Sequence, residues 1–394
     1  MSGRWAWAEI DPDAVAHNVT LLRGVVAPAA VWAVVKADGY GHGAVPVARA
    51  ALVAGATGLC VALVQEGDEL RRAGIEAPIL LLSEQPPEQA RDIVEHRLTP
   101  TVYTLDAVRA LDAAARTARS PMGVHVKVDT GMQRVGARPD AVLEVIDAVL
   151  AARGSLRLAG VDTHLAVADD PDDPMTAEQL RRFDHLLEQV ASRALAAGLD
   201  PDDLIVHAAN SAGGLAHAAA RRSVVRAGIA VYGISPGHGV DHLVTGLRPA
   251  MRLVARVSFV KRVEAGSRIS YGLRHTFERS TTVATVPLGY ADGVPRRLSS
   301  VGGEVLVGGR RCPIVGVVTM DQLMVDVGNA EVMAGDEVVL LGRQGSEEVR
   351  AEEWADRLDT IGYEIVCGIS RRIERVLTGR GGGSAASGAR TAGT

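Results

Sequence analysis

Lys36 closes the apolar run Val31-Trp-Ala-Val-Val35 and is followed by Ala-Asp-Gly-Tyr-Gly-His-Gly43, where a helix begins. Burying an amine at the end of such a strand is costly unless the amine has a task. The task open to it is nucleophilic, because a neutral lysine amine condenses with an aldehyde to a Schiff base. A surface lysine at a solvent-facing strand end is the other reading of the spacing alone. Gly39, Gly41 and Gly43 permit close backbone approach, and the N–H groups that open the following helix suit a phosphate. Comparable polar residues follow other apolar runs: Lys127, Asp129 and Arg134 one of them, His164 another, His207, Asn210 and Ser211 a third, and Arg226 a fourth. Strand ends gathered at one face are where barrel active sites are built.

Elements that could gather these residues are legible as alternating short aliphatic runs and longer stretches of helical periodicity. The strand candidates are Val31 to Lys36, Leu59 to Val64, Ile79 to Leu82, Leu98 to Tyr103, Val124 to Asp129, Leu156 to Thr163, Leu204 to His207 and Ser223 to Arg226. Ala-rich segments such as Ala44 to Ala54 and Ala107 to Ala118 favour helix between them. The series suggests an α/β fold closed as a (β/α)8 TIM-type barrel, with a doubly wound open sheet as the structural alternative. After Gly239 the texture changes. Met251 to Val263, Thr281 to Pro287, Gly303 to Gly309, Met324 to Val327 and Glu337 to Leu341 read as strands with little helix between them. We therefore expect a barrel over residues 11–240 and a mainly β C-terminal domain over 241–378. Residues 1–10, with the strand candidate Trp5 to Ile10, could join either domain. The Gly-, Ser- and Ala-rich tail, 379–394, is expected to be disordered.

Composition narrows the function classes. The chain of 394 residues is 47% hydrophobic, enough for two moderate cores, and its net charge of -5 offers no broad cationic field to a nucleic acid. Cys60, Cys312 and Cys367 are far apart, make no CxxC spacing and are odd in number, so reduced buried thiols are expected rather than disulfides or a metal site. The charged start lacks an apolar signal segment, and every longer apolar run is broken well short of the roughly 18 residues a membrane helix needs. A cytoplasmic protein with no membrane partner is the expectation.

The motifs taken together resemble the alanine racemase family. Val35-Lys-Ala-Asp-Gly-Tyr-Gly-His-Gly43, Lys127-Val-Asp-Thr-Gly-Met132, Thr163-His164, Asn210-Ser211, Arg226-Ala-Gly-Ile229, Ser270-Tyr-Gly272, Gly289-Tyr-Ala-Asp-Gly293 and Met320-Asp321 occur in the family's order, and the likeness runs from Trp5 to about Arg372. It implies pyridoxal 5'-phosphate as cofactor, L- and D-alanine as substrates, a homodimer with active sites shared between subunits, and a supply of D-alanine for peptidoglycan. By the same likeness Lys36 holds the cofactor and acts as the base on the D-alanine side. Tyr271, from the β domain of the second subunit, acts on the L-alanine side, and two opposed bases are what inversion at a planar carbon requires. Phenols ionise only near pH 10 or so, and His164 and Arg226 resemble the residues that help the family's tyrosine through a hydrogen-bonded chain.

The resemblance also sets Arg226 against the pyridine nitrogen of the cofactor. A guanidinium does not exchange protons at physiological pH, so the ring stays neutral, is a weaker electron sink and is less prone to transamination. The phosphate is implied to lie among Tyr40, Ser211, Tyr363 and the backbone N–H groups of Gly228 and Ile229. The substrate carboxylate would meet Arg134 and the backbone N–H of Met320. Asp292 resembles part of the substrate access corridor, or is a turn carboxylate. Lys127 resembles a position carbamylated in many members, its added negative charge orienting Arg134; the alternative is an unmodified lysine paired with Asp129.

The chain departs from the family pattern at Thr319, where Cys or Ser is frequent, at Gln133, where Gly is common, and in Ile369-Ser-Arg-Arg-Ile-Glu-Arg375, which lacks the usual Pro before the last strand. The rival readings are a racemase for serine or for a broader set of amino acids, a non-catalytic pyridoxal-phosphate carrier, and a decarboxylase of basic amino acids. A carrier would lack the β domain. A decarboxylase would use a carboxylate where Arg226 stands.

Overall fold

The structure, a computed structural model, describes residues 3–379. The expected disordered tail therefore lies outside the described residues, apart from Gly379. Backbone contacts divide the chain into two compact units. Among the described residues, one contains Val15–Pro249 and Ala351–Ile369; the other contains 3–14, Ala250–Arg350 and 370–379.

Eight parallel strands make up the first unit's sheet, and the β unit contributes the N-terminal strand β1 (Ala6–Ile10). The barrel strands are β2 (Ala30–Val34), β3 (Gly58–Val61), β4 (Ile79–Leu81), β5 (Thr101–Val102), β6 (Met122–Lys127), β7 (Leu156–Asp162), β8 (Ile205–His207) and β9 (Val224–Ala227). They form two four-stranded ladders, β4-β3-β2-β9 and β5-β6-β7-β8. The ladders join at one side through a parallel bridge between Leu80 and Thr99. At the other side Ser223 N–H donates to Val206 O (3.0 Å) and Arg226 N–H to Ala209 O (3.0 Å). The ring is thus closed. Every residue of β3, β4 and β9 is buried, as strands covered on both faces require. Helices fill the crossovers, and their ends follow local chemistry. In Leu105–Ala118 the Thr104 hydroxyl accepts from Ala107 N–H, Val108, Leu111 and Ala115 turn inward, and Arg119 ends the helix in a left-handed conformation.

The β unit holds β10 (Met251–Arg256), β11 (Phe259–Val263), β12 (Arg268–Ile269), β13 (His275–Thr276), β14 (Thr281–Val286), β15 (Glu304–Val307), β16 (Arg310–Val315), β17 (Leu323–Gly328), β18 (Glu337–Gln344), β19 (Glu347–Val349) and β20 (Glu374–Leu377). Its large sheet runs β11-β14-β17-β16-β15-β18-β10-β1-β20, with β19 on β18. Gly308 and Gly309, both with positive φ (58° and 71°), make the tight turn of the β15–β16 hairpin. Strand β17 alternates buried and half-buried residues along its length, so one face carries the core.

Three domain expectations are corrected. Residues 241–249 and 351–369 pack with the barrel rather than the β domain. The second of these segments forms the helices Ala351–Leu358 and Gly362–Cys367, which bury Trp354, Ile365 and Val366. Residues 11–14 move the other way, because β1 pairs antiparallel with β10 and parallel with β20 and carries the chain start into the β unit. Between Met251 and Leu341 the chain holds strands with no α-helix, as the sequence texture suggests.

Candidate active site

A cavity of about 620 Å3 opens at the C-terminal ends of the barrel strands. Lys36, Lys127, Arg134, His164, Ser211 and Arg226 all line it. Lys36 leaves β2 into an unusual turn: Ala37, Asp38, Gly39 and Tyr40 all have φ near +50 to +60°. Three of these are not glycine, and left-handed conformations cost each of them of the order of 1 kcal/mol. Glu66 compensates. Its Oε1 accepts from Ala37 N–H (2.6 Å) and its Oε2 from Ala62 (2.8 Å) and Leu63 (3.1 Å) N–H, so one carboxylate ties the turn to the end of β3. Asp38 Oδ1 then accepts from Ala44 N–H at 3.0 Å, at the start of the next helix. Lys36 is left half-buried, with no hydrogen bond to any described residue.

Arg226, at the end of β9, is 3% exposed. Its Nη2 donates to Thr163 O (2.8 Å), Ala208 O (3.0 Å) and His164 Nδ1 (3.2 Å), and its Nη1 to His207 Nδ1. A guanidinium has no lone pair to offer, so both imidazoles accept at Nδ1 and, when neutral, carry their proton on Nε2. His207 Nε2 meets His125 Nδ1 at 2.8 Å, which extends the same tautomer to His125. Burial first, and then the Arg226 charge, push His164 and His207 well below the ordinary histidine range. Burial likewise brings His125 down to about 4. Trp32 packs on both inner rings, its centroid 5.9 Å from each. His164 Nε2–H, at the cavity end of this chain, has no partner among the described residues.

Phenols and backbone also line the cavity. Tyr40 and Tyr363 stack at 6.0 Å, and burial raises both hydroxyls above the ordinary tyrosine range, which keeps them protonated donors. Neither hydroxyl has a hydrogen-bond partner among the described residues, and nor does the N–H of the fully buried Ile229. Gly228 N–H donates to Ser211 Oγ (2.8 Å), and a Cβ on Gly228 would stand 2.8 Å from the Tyr40 hydroxyl. Any larger residue there would have to displace the Tyr40 hydroxyl. Asn210 serves the backbone, its Oδ1 accepting from Gly213 N–H (2.9 Å).

Lys127 departs from expectation. It pairs with Asp162, Nζ to Oδ2 at 3.0 Å, and not with Asp129. Asp129 Oδ1 instead accepts from Gly131 (2.8 Å) and Gln133 (3.1 Å) N–H in a loop where Gln133 has φ of 56°, a conformation in which glycine is the easier residue. Arg134 is exposed, with no partner among the described residues.

Tyr271 and Met320 belong to the β unit. Tyr271 sits at the tip of the β12–β13 ribbon, 74% exposed. Met320 is also exposed, and its N–H has no acceptor among the described residues. Asp292 is fully buried and is held by both terminal nitrogens of Arg4 (2.8 and 2.6 Å) and by Gly289 N–H (3.0 Å). That is a turn carboxylate with a structural partner. Thr319 Oγ1 donates to Gln322 O at 2.8 Å. Of the cysteines, Cys60 and Cys312 are buried, whereas Cys367 is exposed and lines the cavity.

Glu66, His125 and Asp162 escaped the sequence reading. Each is a polar residue at or inside an apolar strand segment, or three positions into a helix after a strand, and that placement is the signal that could have found them.

Residues 10–236 match the model of the alanine racemase N-terminal domain, and residues 250–377 match that of its C-terminal domain. The chain belongs to the alanine racemase family. Alanine racemase of Symbiobacterium thermophilum is 49% identical over 377 residues, covering 95% of this chain and 98% of its own. That of Thermobifida fusca is 47% identical over 378 residues, with 95% and 98% covered. Among solved structures, alanine racemase from the D-cycloserine producer Streptomyces lavendulae superposes with a TM-score of 0.88 at 40% identity, covering 96% of this chain and 98% of that one. The Bacillus anthracis alanine racemase with bound L-Ala-P gives 0.87 at 40% identity, with 96% of both chains covered. The barrel with a mainly β second unit is thus the alanine racemase fold, and no helix among the described residues is long and apolar enough to cross a membrane.

Proposed function

We propose that this chain interconverts L- and D-alanine in the cytoplasm as a pyridoxal-phosphate enzyme, supplying D-alanine for peptidoglycan. The observation that carries the reading is the convergence on one cavity of an unbonded Lys36, two protonated phenols and a free buried N–H with a guanidinium that orients a neutral imidazole. The residues fit the cofactor. Tyr40, Tyr363, Ser211 and the Ile229 N–H would hold the phosphate with donors alone. Lys36 would hold the aldehyde carbon, and Arg226, whose Nε–H has no acceptor among the described residues, would face the ring nitrogen. When bound, the cofactor supplies the electron sink that acidifies the Cα–H bond of the amino acid.

The rest is done by the chain's own groups. The Lys36 amine takes or returns a proton on one face of Cα. A tyrosine hydroxyl is needed on the other face, and Tyr271 is too exposed in its own chain to be activated by it. Tyr271 of a second copy would reach His164 Nε2–H, a donor that stabilises phenolate without surrendering a proton of its own. Tyr271, Leu273, Tyr290 and Met320, all exposed on the β unit, supply apolar surface for such a homodimer. Arg134 and the Met320 N–H would meet the substrate carboxylate.

The deciding experiment follows the chirality of pure L-alanine incubated with the purified, cofactor-loaded protein, with L-serine beside it. Conversion of alanine to an equal mixture, with serine far slower, supports the proposal. Faster turnover of serine would replace alanine as substrate, and loss of neither with cofactor bound would turn the assignment toward a carrier.

A further inference from the structure

Lys127 and Asp162 face each other as register partners on β6 and β7. Their side chains are 6% and 3% exposed, and Asp162 Oδ1 has no hydrogen-bond partner among the described residues. Around them stand the buried Arg226, the neutral His125, His164 and His207, and, toward the cavity, Arg134. The buried charges are therefore Lys127 and Arg226 against Asp162, a net of one positive charge.

A carbamate on Lys127 requires the neutral Nζ to attack the carbon of carbon dioxide. The N–C bond forms, one C=O electron pair moves to oxygen, and a proton leaves nitrogen for solvent. Deprotonating Lys127 would strip a buried carboxylate of its paired cation. The product would add a second buried anion beside the first, turning the net charge negative, and like charges at such range oppose ionisation strongly. Burial already pushes the Lys127 amine below its ordinary value, and Asp162 is the largest influence pulling it back up.

We infer that Asp162 is a positioning residue that holds Lys127 as a buried ammonium, so that an ion pair stands in the cavity wall where the family likeness implies a lysine carbamate. Arg134 then has a cation rather than an anion behind it, and both favour an anionic group in the cavity mouth. The inference concerns one side-chain pair, so its failure and that of the racemase reading are separable.

The test uses the full-length protein equilibrated with 13C-bicarbonate at mildly alkaline pH, read by 13C NMR in the carbamate carbonyl region. Wild type should show no carbamate signal that Lys127→Ala removes. Asp162→Asn, confirmed as folded by circular dichroism, should show one that disappears when Lys127→Ala is added. A carbamate signal in wild type that Lys127→Ala removes would overturn the inference, and so would a folded Asp162→Asn without one. Should that variant not fold, 15N-lysine labelling of wild type decides. An ammonium resonance assigned to Lys127 supports the ion pair, and a carbamate N–H at that position refutes it.

Discussion

Acidification should destabilise the barrel in a window set by its buried histidines. His125, His164 and His207 are neutral in the folded chain, and burial lowers all three, His125 to about 4. In the unfolded chain each titrates near its ordinary value of about 6.5. Between the folded and unfolded values the unfolded state binds more protons, so stability rises with pH. The contribution is fully present above pH 6.5 or so and is lost as the pH falls below it. Each histidine adds a slope of up to about 1.4 kcal/mol per pH unit, and three together about 4. For His125 alone, a depression from 6.5 to about 4 corresponds to roughly 3 kcal/mol. Glu178, lowered to about 2 by Arg181 and Arg182, acts in the same direction but only at lower pH. Urea unfolding followed by circular dichroism at several pH values between neutrality and the mid-acid range measures the slope. His125→Asn should reduce it by about 1.4 kcal/mol per pH unit, and a general loss of stability does not enter a slope. Equal slopes in the two proteins, or a His125 resonance titrating at its ordinary value by NMR, would refute the buried neutral chain.

Lys36→Ala should fold yet fail to develop the visible absorbance of a lysine-bound pyridoxal phosphate; a normal spectrum in that variant rules out its role. Tyr271→Phe should leave thermal stability nearly unchanged, since the hydroxyl is solvent-exposed and unbonded in its own chain. It should lower the rate from L-alanine by about 10^2 to 10^4-fold, as loss of a general base does, and wild-type rates in both directions would exclude it. Glu66→Gln cannot serve the Ala37, Ala62 and Leu63 N–H groups as a carboxylate does. A loss of about 1–3 kcal/mol in urea unfolding is expected, and no loss would mean that the turn at Lys36 holds itself.

Barrel strands were legible because each is a compact aliphatic run bounded by turn residues, and Val31 to Lys36 and Leu156 to Thr163 lie within two residues of β2 and β7 at each end. Strand β16 was missed: Arg310-Arg-Cys-Pro-Ile-Val315 carries two adjacent arginines and a proline, which hide its period. The segment 351–369 looked like part of the β domain because nothing local says where a helix docks. Yet it brings Tyr363 to the cavity and seats Val366 O where a Cβ on Gly41 would come within 2.4 Å. Asp162 was invisible for a similar reason. Its partner Lys127 is set by the parallel register of β6 on β7, and register is a property of the paired strands.

The choice of arginine at position 226 decides more than one thing at once. A lysine would carry the same charge, but three donors on a single nitrogen could not reach two imidazoles and two carbonyls that the planar fork serves together. A carboxylate would reverse the local logic: it would accept from Nδ1 of His164 and His207, draw protons onto the rings and raise rather than lower their proton affinity. His164 would then present a cation that a phenolate neutralises by taking its proton. With Arg226 in place, His164 is held neutral with Nε2–H outward. It can stabilise a phenolate without quenching it, which is what a tyrosine acting as a base at neutral pH requires. With the proposed cofactor bound, the same guanidinium, unable to trade its own proton, would deny the ring nitrogen the acidic partner it needs to become charged. In the proposed reaction, the base on one face of the substrate and the restraint on side reactions would therefore share a cause in one buried side chain at the end of β9.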